Sequence, residues 1–140
     1  MEKQIILKEI EASQTWQIRH QVMWPDKPID YVKLDEDKKG MHFGLEVEGK
    51  LVSIVSLFVE NGEAQFRKFA TLEEEQGKGY GSKLLTHLMD AVAELGVTRV
   101  WCNARANKTT FYNRFGLKET RNQFSKGGLD YVIMEKRLIH

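Results

Sequence analysis

Hydrophobic and polar positions follow one rhythm in the first half of the chain and another in the second. Residues 3–10 form a β-branched run that predicts a strand. Ser13 is placed to cap a following helix, whose stripe is Trp16, Ile18, Val22 and Met23. Pro25 and Pro28 end that helix, because proline lacks an N–H and biases the residue before it towards extended geometry. The polar, mixed-charge residues 31–40 read as a loop with room for one helical turn. Residues 42–48 then alternate, with Phe43, Leu45 and Val47 on one side. A tight turn at Glu48-Gly49-Lys50 leads into residues 51–60, a strand dense in Val, Ile, Leu and Phe. Asn61-Gly62 predicts a type I′ hairpin, which needs positive φ at both central positions. Residues 63–72 return as the third member of an antiparallel meander.

Beyond this point the period lengthens. Residues 79–95 place Leu84, Leu85, Leu88, Val92 and Leu95 at helical spacing, and Gly96 stops the helix. Residues 97–103, with Val100 and Trp101, predict a strand, and residues 108–115 a short helix closed by Gly116. Residues 117–124 and 129–137 read as two terminal strands joined through Lys126-Gly127-Gly128. Strand, helix and strand between residues 63 and 103 fit a right-handed parallel crossover. The expected fold is α/β, with a mixed central sheet: an antiparallel N-terminal meander, a parallel central pair and flanking helices.

Composition narrows the function classes. At 140 residues the expectation is one domain over residues 1–140, large enough to hold a core without staples. A net charge of +1 supplies no basic face for nucleic acid. Cys102 is the sole cysteine, so no internal disulfide forms and nothing suggests an oxidising compartment. Residues 1–11 lack a signal-peptide core, and the longest apolar stretch, residues 51–59, is too short for a bilayer and carries Ser53 and Ser56. A cytoplasmic protein without nucleic-acid or membrane partners is expected. His20, His42, His87 and His140 are scattered, and no ligand spacing points to a metal.

The densest chemical signal is Gln76-Gly77-Lys78-Gly79-Tyr80-Gly81-Ser82, between a predicted strand and a predicted helix. Glycines let a ligand approach the backbone, and a helix start offers unpaired N–H groups and a positive dipole end. Lys78 adds a cation at the rim. That combination suits a phosphate or pyrophosphate. The alternative is a plain strand-to-helix turn. The spacing GxGxG is not the GxGxxG of dinucleotide-binding folds, and Gly44 to Gly49-Lys50 is no P-loop, since Leu51 follows and the segment enters no helix.

Gln76-x-x-Gly79-x-Gly81 resembles the (Gln/Arg)-x-x-Gly-x-(Gly/Ala) signature of the GNAT family of N-acetyltransferases, which bind acetyl-coenzyme A. Phe69-Ala70-Thr71-Leu72 is similar to the end of that family's fourth strand. Asn103 to Asn107, then Phe111-Tyr112 and Phe115-Gly116-Leu117, resemble its second signature. Both lie in the family's order, and the likeness covers nearly the whole chain.

The resemblance implies a GNAT-type sheet and transfer of acetyl from acetyl-CoA to a primary amine by direct attack in a ternary complex. It implies that the backbone of Phe69, Ala70 and Thr71 pairs with the pantetheine arm, where an N–H can polarise the thioester carbonyl. Gln76, Gly77, Lys78, Gly79, Tyr80, Gly81 and Ser82 then hold the pyrophosphate through main-chain N–H groups, and Asn107 touches the pantetheine. Tyr112 stands where the family has a general acid; a phenol is protonated at neutral pH and can donate to a departing thiolate. Its other reading is helix packing beside Phe111 and Phe115. Some members carry a Glu base on the fourth strand, but the matching position here is Gln65, which cannot accept the proton. Glu63, two residues earlier on the same strand face, and Glu60, at the end of the preceding strand, can each serve as base through water, against the reading of solvated strand ends; Glu63 is the one carried forward. Cys102, beside Trp101, reads as a core residue and not a nucleophile. His42 reads as a hydrogen-bonded strand end, and Glu73-Glu74-Glu75 as a solvated face.

Trp24-Pro25-Asp26-Lys27-Pro28 falls in the region that shapes the family's acceptor pocket, and a small-molecule or peptide amine is the implied acceptor. The family admits a homodimer. A non-catalytic acyl-CoA-binding or sensing domain is the alternative, separated by what Tyr112 does; a module binding ATP or NAD at the loop is a remoter one.

Overall fold

A computed structural model describes residues 2–139, so Met1 and His140 lie outside the described residues. The chain runs β1 (Ile5–Ile10), α1 (Ala12–Met23), β2 (Met41–Val47), β3 (Lys50–Glu60), β4 (Glu63–Thr71), α2 (Tyr80–Glu94), β5 (Arg99–Arg105), α3 (Thr109–Asn113), β6 (Lys118–Lys126) and β7 (Leu129–Arg137). The seven strands form one sheet in the order β1-β2-β3-β4-β5-β7-β6. Strands β4 and β5 are parallel, joined over α2, and every other neighbouring pair is antiparallel. The mixed sheet with flanking helices expected from the sequence is thus present. Among the described residues no helix is long and apolar enough to cross a membrane.

Local chemistry accounts for the hairpins. Glu48-Gly49, Asn61-Gly62 and Gly127-Gly128 all hold positive φ, as the right-handed twist of the flanking strands requires. Four residues of the α2 stripe are buried as their spacing predicts, Leu84, Leu85, Leu88 and Val92 joining Phe43, Leu45, Ile54 and Phe66 in the core, but Leu95, past the last turn, is exposed. Gly96, at φ +73°, follows the end of α2.

Three local expectations need correction. Ser13 does not cap α1; Glu11 does, its N–H donating to Gln14 Oε1 at 2.8 Å, while Ser13 sits exposed in the first turn. The stripe of α1 also differs, because Thr15 and Arg19 are buried with Ile18. Residues 31–40 carry more structure than a loop. Two 3₁₀ turns, Ile29–Val32 and Asp35–Lys39, take up most of the segment, and Asp37 in the second turns inward to meet Arg19.

Two irregularities in β4 open the sheet. Ile54 pairs with Ala70 but Ser56 pairs with Arg67, so β4 carries an extra residue there, and Lys68 takes φ +56°. Strand β4 pairs with β5 only where Glu63, Ala64 and Gln65 meet Arg99, Val100 and Trp101. Beyond Gln65 the two parallel strands continue unpaired. Backbone groups of β4 that face β5 are left without a strand partner, at the C-terminal ends of parallel strands where α/β sheets receive ligands.

Candidate active site

The glycine loop closes one end of this cleft. Gly77 and Gly79 hold φ of +79° and +85°, conformations that side chains resist, and Gly79 caps α2. The first bond of the helix runs from Lys83 N–H to the Gly79 carbonyl at 3.1 Å. The N–H groups of Tyr80, Gly81 and Ser82 precede it and have no helical acceptor. Gly81 lets the helix approach β4, since a Cβ there would lie 3.1 Å from Phe69 Cζ and 3.5 Å from Thr71 Oγ1. Gln76 Nε2 donates to the Thr71 carbonyl at 2.9 Å, tying the loop to the strand end. Ser53 Oγ braces that end from β3 by donating to the Ala70 carbonyl, with Thr71 Oγ1 at 2.8 Å. Lys78 Nζ is 3.2 Å from Glu75 Oε2, so Glu75 belongs to the loop and not only to a solvated run. Tyr80 turns its ring into the core, leaving its N–H for the loop, and Asn107 is exposed in the turn after β5.

Across the cleft, α3 presents its aromatic side to β4. Phe111 stacks on Phe69 at 6.1 Å between centroids, and the Tyr112 ring lies 5.9 Å from Phe66. Both family-signature segments therefore meet at one cleft. Burial, with Cys102 adding to it, raises the Tyr112 pKa above the usual phenol value, so the hydroxyl is protonated at neutral pH. Burial likewise pushes the Cys102 thiol up to about 12, which leaves no thiolate for attack.

Glu63 is placed differently. It lies at the paired end of β4, on the opposite face from Ala64 and Phe66, with Oε1 3.1 Å from Arg99 Nη1. Arg99 also donates to Glu135, and these two carboxylates hold its pKa above the ordinary value although burial opposes it. The structure therefore groups Tyr112 with the cleft and Glu63 with an ion-pair cluster at the opposite end from the glycine loop, where β4 and β5 still pair.

Sequence reasoning missed the other side of β4. Arg19 is fully buried: its guanidinium donates to both Asp37 oxygens at 2.9 and 3.0 Å, to Ser56 Oγ and to the Val32 carbonyl. Trp16 and the Leu34 N–H also donate to Asp37. His42 Nε2 donates to the Asp37 carbonyl and its Nδ1 lies 2.7 Å from Ser56 Oγ, so His42 supports the network from within. Over it sits Lys68, its Nζ 4.5 Å from the Trp24 ring, with Tyr31 edge-on to Trp24 at 5.3 Å. A lysine inside a strand carries no sequence sign of a left-handed bulge. The aromatic-proline segment at residues 24–28 was the one legible pointer.

Comparison with known proteins places this geometry. Residues 11–138 match the family model described as an acetyltransferase (GNAT) domain. The chain belongs to the GNAT acetyltransferase family. The uncharacterized N-acetyltransferase YitI of Bacillus subtilis is 34% identical, over 94% of this chain and 95% of its own. The ribosomal protein bS18-alanine N-acetyltransferase of Escherichia coli is 27% identical over 82% and 81%. A crystal structure of the E. coli S18-alanine enzyme superposes with a TM-score of 0.78 at 20% identity, covering 96% of this chain and 94% of that one. A GNAT acetyltransferase from Elizabethkingia anophelis with acetyl-CoA bound gives a TM-score of 0.75 at 12% identity, covering 96% and 98%. At such identities the likeness to the two structures is one of fold.

Proposed function

We propose that the protein transfers an acetyl group from acetyl-CoA to a primary amine by direct attack in a ternary complex. The observation that carries the reading is the stretch of β4 left unpaired with β5, followed by a loop into a helix N-terminus whose first N–H groups have no helical acceptor. Bound acetyl-CoA supplies an activated acyl group with a thiol as leaving group. Phe69, Ala70 and Thr71 line its arm with backbone groups, Asn107 contacts the arm, and Gln76, Gly77, Lys78, Gly79, Tyr80, Gly81 and Ser82 cradle the pyrophosphate. An N–H near the bulge meets the carbonyl oxygen as it gains charge. The amine nitrogen forms the C–N bond as the C–S bond breaks, and Tyr112 passes its phenolic proton to the departing sulfur. The amine's proton leaves through water, with Glu63 as the acceptor assigned to it although Arg99 competes for its oxygens.

The test is release of free CoA from acetyl-CoA with a panel of primary amines. Amine-dependent release supports the reading, and tight CoA binding without release would favour a non-catalytic acyl-CoA sensor. Gly79→Val is expected to raise the Kd for acetyl-CoA at least about tenfold, because a β-branched residue resists φ +85° and its side chain enters the anion site. Isothermal titration checks this, and an unchanged Kd would detach the loop from the pyrophosphate.

A further inference from the structure

Lys68 occupies the bulge immediately before Phe69, the residue from which the cleft wall begins. Its φ of +56° is uncommon for a residue with a long side chain, and such conformations gather at ligand-binding positions. The conformation brings its Nζ over Trp24, on the side of β4 where Trp24 and Tyr31 stand edge to face.

The charges around it do not balance. Among the described residues no carboxylate pairs with Lys68. Arg67 beside it is matched by Glu36 at 2.6 Å, and Arg19 beneath it is matched by Asp37. Lys126, at the tip of the β6–β7 hairpin, acts on Lys68 as a further like charge. Burial, then repulsion from Arg67, Arg19 and Lys126, lowers the Lys68 pKa to about 8 against the opposing pull of Asp37. Each nearby acid is already spent on an arginine. A half-buried ammonium in this setting lacks an anion.

Resting on the acetyl-transfer reading, we infer that the acceptor amine carries an anionic group, a carboxylate or a phosphate, which pairs with the Lys68 ammonium beside the Trp24–Tyr31 wall, with Lys126 adding to the field. Pairing at Lys68 would fix the acceptor next to the bulge, from which its nitrogen can reach the cleft. The same field repels a polyamine, whose second cation would meet Lys68 and Lys126. Lys68 is then a specificity-determining residue.

Matched amines test this: O-phosphoethanolamine against ethanolamine, β-alanine against n-propylamine, and spermidine as the cationic arm. CoA release is followed for each, and binding of each to the protein is measured separately by calorimetry. The expected result is a kcat/KM at least about tenfold higher for one anionic amine than for its neutral partner, with spermidine poorest. Which anionic arm prevails distinguishes phosphate from carboxylate. Lys68→Met should erase the preference by raising KM for the anionic amine alone, Lys68→Arg should retain it, and Lys126→Ser should reduce it. Equal or better use of the neutral amine or spermidine by the wild type overturns the inference. So does a Lys68→Met variant that slows every amine alike. Should no amine be acetylated, the anion preference in calorimetry and its loss in Lys68→Met still decide the inference, while acetyl transfer itself fails; transfer without preference is the reverse.

Discussion

Tyr112→Phe is expected to lower kcat by about 10²–10⁴-fold, the usual range for loss of a positioned general acid, while the Kd for acetyl-CoA stays within about twofold. The two effects separate because the ring would remain against Phe66 and Phe111 while only the hydroxyl is lost. Rapid-mixing kinetics on wild type and variant check the first figure, and titration calorimetry the second. The pH profile adds a sign. Burial raises the phenol pKa, so the required protonated form persists as pH rises through the neutral and mildly alkaline range. Activity should therefore climb with pH as the acceptor amine loses its proton, with no alkaline fall from Tyr112 below about pH 10, its unperturbed value. A variant with unaltered kcat would remove Tyr112 from the chemistry and leave it a packing residue.

Asp37→Asn should produce the largest loss of stability. Arg19 is fully buried, and its Nε–H has no acceptor among the described residues even in the wild type. Removing the carboxylate charge leaves an uncompensated guanidinium in the interior, which costs about 3–5 kcal/mol. For a chain of this size that lowers Tm by roughly 10 °C or more. Replacing both partners, as Arg19→Met with Asp37→Leu, should recover most of the loss, because the cost lies in the orphaned charge. The pH dependence follows from the same pair. Burial raises the Asp37 pKa, but hydrogen bonds from Arg19, the Leu34 N–H and Trp16 outweigh it and hold the carboxyl below its ordinary value. A depressed native pKa stabilises above the unfolded value, near about 3.9, and that contribution is lost as pH falls through the native one. Thermal melts from pH 7 to pH 3 should show wild type converging on the variant in acid.

Whatever depended on neighbours in sequence was legible in the chain. Asn61-Gly62 forced a hairpin, Leu84, Leu85, Leu88 and Val92 marked one helix face, and the glycines at 77 and 79 marked positions that take positive φ. What depended on distant partners was not. Arg19 interrupts the apolar stripe of α1, and nothing local reveals that Asp37, eighteen residues on, draws it inside. Lys68 reads as an ordinary strand lysine until the register of β3 against β4 shows the extra residue. A terminal hairpin can add to a sheet by either strand; here β7 and not β6 pairs with β5. Ser13 was a sound cap by residue type, but β1 ends at Ile10 and the helix starts two residues earlier than that choice allowed.

The central claim is that the cleft between β4 and β5 receives a CoA thioester. Thermal unfolding with acetyl-CoA, free CoA, ATP and NAD, each added separately, tests it most directly. At one hundred times its Kd a ligand adds about 2.7 kcal/mol, which should raise the midpoint by several degrees. Both CoA species should produce that rise, and ATP and NAD should not. An unchanged midpoint with millimolar acetyl-CoA would contradict the account and reduce the glycine loop to a turn.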